Sequence, residues 1–135
     1  MAPSRRRSRS GFTLIELMVV MSLIVILASI GLTLYTNSVT RAKESVLKED
    51  LFRMRDAIDQ YYADKGKYPA TLDSLVSEKY LRAIPTDPFT NSSDTWRSIP
   101  SDPDPTNPTA EPGVYDVRSG SDQLALDGTH YADWD

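Results

Sequence analysis

Gly11-Phe12-Thr13-Leu14-Ile15-Glu16-Leu17-Met18-Val19-Val20 opens a run of 23 residues, 12–34, that holds a single charge, Glu16. A helix over this run spans roughly 35 Å at about 1.5 Å per residue, enough to cross a bilayer core with some tilt. Arg5, Arg6, Arg7 and Arg9 stand immediately ahead of it. A cationic flank of this kind predicts that residues 1–11 stay on the cytoplasmic side while the rest of the chain crosses. An ordinary secretory signal has a shorter apolar region, with its small-residue cleavage site after it. Here the small residues, Ser10-Gly11, come first, so a cut there discards the basic leader and keeps the apolar helix.

Glu16 is the costly residue of this run. A carboxylate at mid-membrane costs on the order of 2.5–3.5 kcal/mol on insertion scales, and such residues usually have a function. Cleavage after Gly11 would free an α-amine on Phe12, four residues away. The plainer alternative is that Glu16 sits near the cytoplasmic end and simply reaches the interface.

The helical pattern continues. Between Asn37 and Lys65 there is no Pro or Gly, and Gly66 is placed to end the helix. Val39, Ala42, Val46, Leu47, Leu51, Met54, Ile58 and Tyr61 form one apolar stripe on an otherwise charged cylinder. Glu44 and Lys48 have the spacing of an i,i+4 pair. The expectation is one continuous helix of about 50 residues, roughly 75 Å long, apolar in its first half (12–36) and amphipathic in its second (37–65). A coiled coil is the rival, but the regular stripe covers little more than two heptads.

Residues 66–135 read as a small head. Tyr68-Pro69 makes an extended step, and Thr71 can cap a short helix carrying Leu72, Leu75, Val76 and Leu81. Thr95-Trp96-Arg97-Ser98-Ile99 and Val114-Tyr115-Asp116-Val117-Arg118 alternate as short strands. The five prolines between 100 and 112 predict an irregular loop. The fold class is therefore α+β: a long N-terminal helix packed against a small antiparallel sheet of two or three strands.

Composition narrows the function. Without the four leader arginines, the remaining 11 Lys and Arg (of 15) face 19 Asp and Glu, a net charge of −8. An acidic product of this kind is a poor nucleic-acid binder, which needs clustered cations. With no cysteine, neither a disulfide nor a thiolate metal site can staple the head. His130 is the only histidine, and no serine stands in a nucleophile elbow, so no catalytic residue is identified. Tyr61, Tyr62 and Trp96 read as packing residues.

The stretch 11–20, behind its basic leader, resembles the N-terminal signal of the type IV pilin-like family. The resemblance implies that a prepilin peptidase cuts after Gly11 and methylates the new amine of Phe12. It also implies that Glu16 attracts the cationic N-terminus of the adjoining subunit as helices stack into a filament. Many relatives carry Gly and Pro at the positions of Val25 and Thr33, where the helix can unwind. Here Gly31 is the only local weak point. Gly66-Lys67-Tyr68-Pro69, residues 81–85, Asp87-Pro88-Phe89, and Val114-Tyr115-Asp116-Val117 with Ser119-Gly120 are similar to the heads of the major pseudopilins of type II secretion.

That family binds calcium in its C-terminal loop, and Ser119, Asp122 and Asp133, with Asp127 as a further candidate, stand nearest the family's ligand positions. Residues 101–135 carry eight carboxylates against one cation, Arg118, and oxygen ligands suit Ca²⁺. The alternative is that these aspartates occupy turns and solvated surface, as Asp127-Gly128 would. The resemblance further implies partners: further copies of the chain, minor pseudopilins, the peptidase and an inner-membrane assembly platform. It implies an inner-membrane anchor with the head in the periplasm. Three readings remain: a secretion pseudopilin, the major pilin of a surface type IV pilus, and an anchored binding domain that never polymerises. The absence of a C-terminal Cys pair and the acidic tail favour the first.

Overall fold

The computed structural model describes Met1 and residues 10–135. The arginines of the expected leader lie outside the described residues. The chain divides into two compact units, Met1–Asn37 and Ser38–Asp135, and helix α1 (Leu14–Lys65) contributes to both.

In the first unit α1 begins with a reciprocal cap. The Glu16 amide donates to Thr13 Oγ1 at 3.1 Å, and the Thr13 amide donates to the Glu16 carboxylate at 3.4 Å. This is the capping box of a Thr-x-x-Glu sequence, which satisfies two amides that a helix start leaves unpaired. The hydroxyls of Ser22, Ser29 and Thr33 donate to the carbonyls of Met18, Val25 and Ser29, one turn back. Those three polar side chains are thus satisfied within the helix. The helix runs unbroken through Gly31, and every residue from 10 to 39 is exposed. It is long and apolar enough to cross a membrane, with a mean hydropathy of 2.7 over its most apolar stretch.

In the second unit the amphipathic part of α1 is the floor of the core. Leu47, Leu51, Met54, Ala57, Ile58 and Tyr61 are buried at the expected three- and four-residue steps. The expected stripe is too long by three residues: Val39, Ala42 and Val46 are exposed. Val39 and Ala42 precede Glu44, which bonds the Leu126 amide and the Tyr131 hydroxyl at 2.9 Å each, and Val46 stays half exposed beside the buried Leu47. Trp96, Val117, Ala125 and Tyr131 cover Leu47, Leu51 and Met54, while Leu75 and Val114 cover Ala57, Ile58 and Tyr61.

Gly66 ends α1 with a φ of 69°, the left-handed turn that glycine adopts without strain. The short helix α2 (Leu72–Ser77) buries Leu75. Thr71 stands at its N-cap position, but its side chain makes no capping bond to the backbone and meets the Ser74 hydroxyl instead.

Strands β1 (Arg97–Pro100) and β2 (Val114–Arg118) pair antiparallel as the two-stranded sheet of the described residues. β2 has the expected bounds, whereas β1 starts two residues later than expected and runs one further. Trp96 is withdrawn from the ladder: its indole is buried and Nε1 donates to the Pro85 carbonyl at 2.7 Å. In β2, Val114 and Val117 are both buried although three residues apart, which a regular strand forbids. The register resolves this, because Pro100 pairs with Val114 and Ile99 with Asp116, leaving Tyr115 as the extra residue of a bulge.

Gly120 follows β2 where a side chain has no room: an added Cβ would fall on the Thr95 carbonyl oxygen. From there residues 121–135 fold back over α1 through a tight turn. The Ala125 amide donates to the Thr129 carbonyl at 2.6 Å, Gly128 takes a φ of 86°, and the segment ends in a 3-10 turn, Tyr131–Asp133.

One polar residue lies on the buried face of α1. Burial pushes the Asp50 carboxyl above its ordinary 3.8; Arg53 partly offsets this, while Asp87 and Glu49 add to it. The folded state therefore holds this proton more tightly than the unfolded chain, so Asp50 opposes folding increasingly as pH rises above 3.8. Asp50→Asn is expected to raise the melting temperature of the detergent-solubilised chain at pH 7, with the gap closing towards pH 4. A lower melting temperature at pH 7 would show that the charge itself stabilises the head.

Candidate functional site

The candidate site residues fall into two groups, one at the start of α1 and one in the C-terminal segment. At the first, Ser10, Gly11, Phe12 and Thr13 lie ahead of the helix in irregular, exposed backbone. Phe12 is 87 % exposed, and the position of a Gly11 side chain opens onto empty space. The Gly11–Phe12 bond is thus presented in the accessible, non-helical form that a peptidase needs. Glu16 sits in the first turn, its carboxylate turned back to the Thr13 amide. The acid is therefore held at the helix end nearest the Phe12 nitrogen, where the helix dipole favours negative charge. The Thr13 half of this arrangement escaped the sequence reading, although Thr-x-x-Glu was legible as a capping box.

In the C-terminal segment the four expected calcium ligands are engaged separately. Ser119 is fully buried and donates its hydroxyl to Asp87 Oδ2 at 2.5 Å. Asp87, also fully buried, accepts the Phe89 amide on its other oxygen at 2.9 Å. Asp122 pairs with Arg97 at 3.1 Å on the surface. Asp127 Oδ1 accepts the hydroxyl and the amide of Thr129 at 2.6 and 3.0 Å, and these two bonds hold its carboxyl below the usual carboxylate range. Asp133 is exposed on the 3-10 turn. Among the described residues no three His, Cys, Asp or Glu side chains come together in a group that could hold a metal ion.

Other residues tie this segment down. Glu44 holds Leu126 and Tyr131 instead of pairing with Lys48, whose ammonium lies 4.9 Å from the centre of the Trp134 ring. Arg55 reaches Asp116, Val117 and Trp134. In the sequence both looked like members of a solvated helix face, and nothing in their spacing distinguished them. The lone histidine, His130, is exposed with Nδ1 3.1 Å from the Asp122 carbonyl oxygen. Tyr61 packs against Tyr80, and Tyr62 stacks on Tyr68, inside the head.

Burial, followed by the Glu44 bond, pushes the Tyr131 hydroxyl from 10.0 up to about 12. The folded chain keeps this proton where the unfolded chain has lost it, so stability falls as pH rises from 10.0 through about 12. Tyr131→Phe is expected to lose about 1–2 kcal/mol at neutral pH and to flatten that alkaline decline in urea titrations. An unchanged decline would exclude Tyr131 as its source.

The family described as "Prokaryotic N-terminal methylation motif" matches residues 6–32, the arginine-flanked start of α1. The chain is 35% identical over 103 residues to the type II secretion system core protein G of Pseudomonas aeruginosa, covering 64% of this chain and 72% of the relative. It is 31% identical to the protein of the same name from Aeromonas hydrophila, with the same coverage. It is also 36% identical over 84 residues to fimbrial protein EcpC of Eikenella corrodens, covering 58% of this chain and 55% of that one. No solved structure matches the chain significantly. With an exposed apolar helix that opens on Phe-Thr-Leu-Ile-Glu and a small α+β head, the chain belongs to the family of type II secretion system core protein G.

Proposed function

We propose that the chain is a structural subunit of a type II secretion pseudopilus, polymerising through the first half of α1 and driving protein export across the outer membrane. One observation carries the reading: residues 10–39 are wholly exposed, apolar over most of their length, and carry one acid at the helix start. An uncovered surface of that size needs a bilayer or neighbouring subunits. In this reading the peptidase removes residues 1–11, the Phe12 amine is methylated, and Glu16 offers its carboxylate to the cationic N-terminus of the next subunit. In a low-dielectric helix bundle such a pairing also sets the axial register, because either charge left alone is costly.

The precursor is then a single-pass inner-membrane protein with its head in the periplasm. Minor pseudopilins and the assembly platform are its partners there, and its role involves no catalysis and no nucleic acid. The likeness to a fimbrial protein supports a second reading, the major pilin of a surface pilus, over a smaller share of the relative. Deleting the gene separates the two: lost exoprotein release supports secretion, whereas intact release together with loss of sheared surface fibres supports the pilus. Glu16→Ala is expected to be processed normally yet to yield no filament, seen as complete loss of cross-linked oligomers on immunoblots. Normal oligomers would leave only the non-polymerising anchor.

A further inference from the structure

We propose that Arg55 is the cation that locks the C-terminal segment of this head, which therefore closes residues 119–135 without a divalent ion. Arg55 projects from α1, its Nε donating to Asp116 Oδ1 at 2.7 Å and its Nη2 to the carbonyl oxygens of Val117 and Trp134 at 3.0 and 2.9 Å. One carboxylate and two carbonyls, drawn from β2 and from the last residues of the chain, are the kind of hard oxygen set that calcium gathers in a loop. Here a guanidinium gathers them, and its planar fork of fixed donors suits the task. The Arg55 and Asp116 side chains are only 24% and 22% exposed, so their charge-assisted bonds are less screened than surface pairs.

The surroundings point the same way. Arg118 extends the positive charge, with Nη2 on Asp135 at 2.8 Å. Its Nε is buried without a hydrogen-bond partner. Ser119 Oγ is given to Asp87, Asp127 to Thr129 and Asp122 to Arg97. The Arg97–Asp122 pair is largely exposed and contributes little. Glu44 also bonds the segment from α1, through Leu126 and Tyr131, but Arg55 is the side chain whose bonds join α1, β2 and Trp134 at once.

The test uses the full chain in detergent micelles, stripped with EGTA. Two readouts suffice: the melting temperature by tryptophan fluorescence, and hydrogen exchange at the Ala125 and Tyr131 amides, which bond to Thr129 and Gln123. Wild type is expected to give the same melting temperature and exchange with EGTA as with calcium at about 10 mM, well above the weakest protein calcium sites. Arg55→Gln is expected to speed exchange across residues 119–135 by about tenfold or more, with no recovery on adding calcium. Arg55→Lys, which keeps the charge without the fork, should fall between the two, and Asp122→Asn should match wild type. Calcium-dependent protection of wild type, or wild-type exchange in Arg55→Gln, would overturn the proposal. If Arg55→Gln does not fold, the wild-type calcium comparison and Arg55→Lys still decide it.

Discussion

An apolar helix surface that its own chain leaves exposed is the constraint from which the rest follows. Residues 10–39 bury nothing, yet from Leu14 on they are helical, and the hydroxyls of Ser22, Ser29 and Thr33 are returned to carbonyls of the same helix. Such a helix meets the main requirement of a lipid environment, that its polar groups be satisfied internally. It is equally prepared for a bundle of its own kind, where the lateral contacts are again apolar. The exception is Glu16, and its place at the helix start puts the one acid where a freed amine would also be.

The head solves a different problem. It has no cysteine and only a two-stranded sheet, so a single face of α1 has to organise everything laid on it. The buried apolar side chains from Leu47 to Tyr61 each supply about 1.5–3 kcal/mol of transfer energy, except for Ala57, which supplies less. Polar ties then choose one arrangement among many. Glu44 holds the Leu126 turn and Tyr131, Arg55 holds β2 and Trp134, and the buried Asp87 takes both the Ser119 hydroxyl and the Phe89 amide. Apart from the local Asp87–Phe89 bond, these are long-range bonds made by charged side chains. They do the work that disulfides do in other small heads.

Period and punctuation made much of this legible. The three- and four-residue steps from Leu47 to Tyr61 marked the buried face, Gly66 marked the helix end, and alternation in 114–118 marked β2. What local pattern could not carry was where the head stops along the helix, hence the exposed Val39 and Ala42, or that Val46 falls outside the buried face. Nor could it foresee that Trp96 leaves β1 for the Pro85 carbonyl, or that Tyr115 bulges so that two valines share a face. The parts of the cap at the start of α1, Thr13 and Glu16, are adjacent in the chain and so lie within reach of local pattern. The C-terminal ties do not, because Glu44 and Arg55 meet partners more than sixty residues away.

The account depends on a new amine at Phe12, since only that group gives Glu16 a cationic partner in the next subunit. Intact-mass spectrometry of the chain purified from its native membranes measures this directly. The account predicts a polypeptide beginning at Phe12 and heavier by one methyl group. A mass that still includes residues 1–11 would contradict it, for then no such amine exists and the helix is an anchor alone.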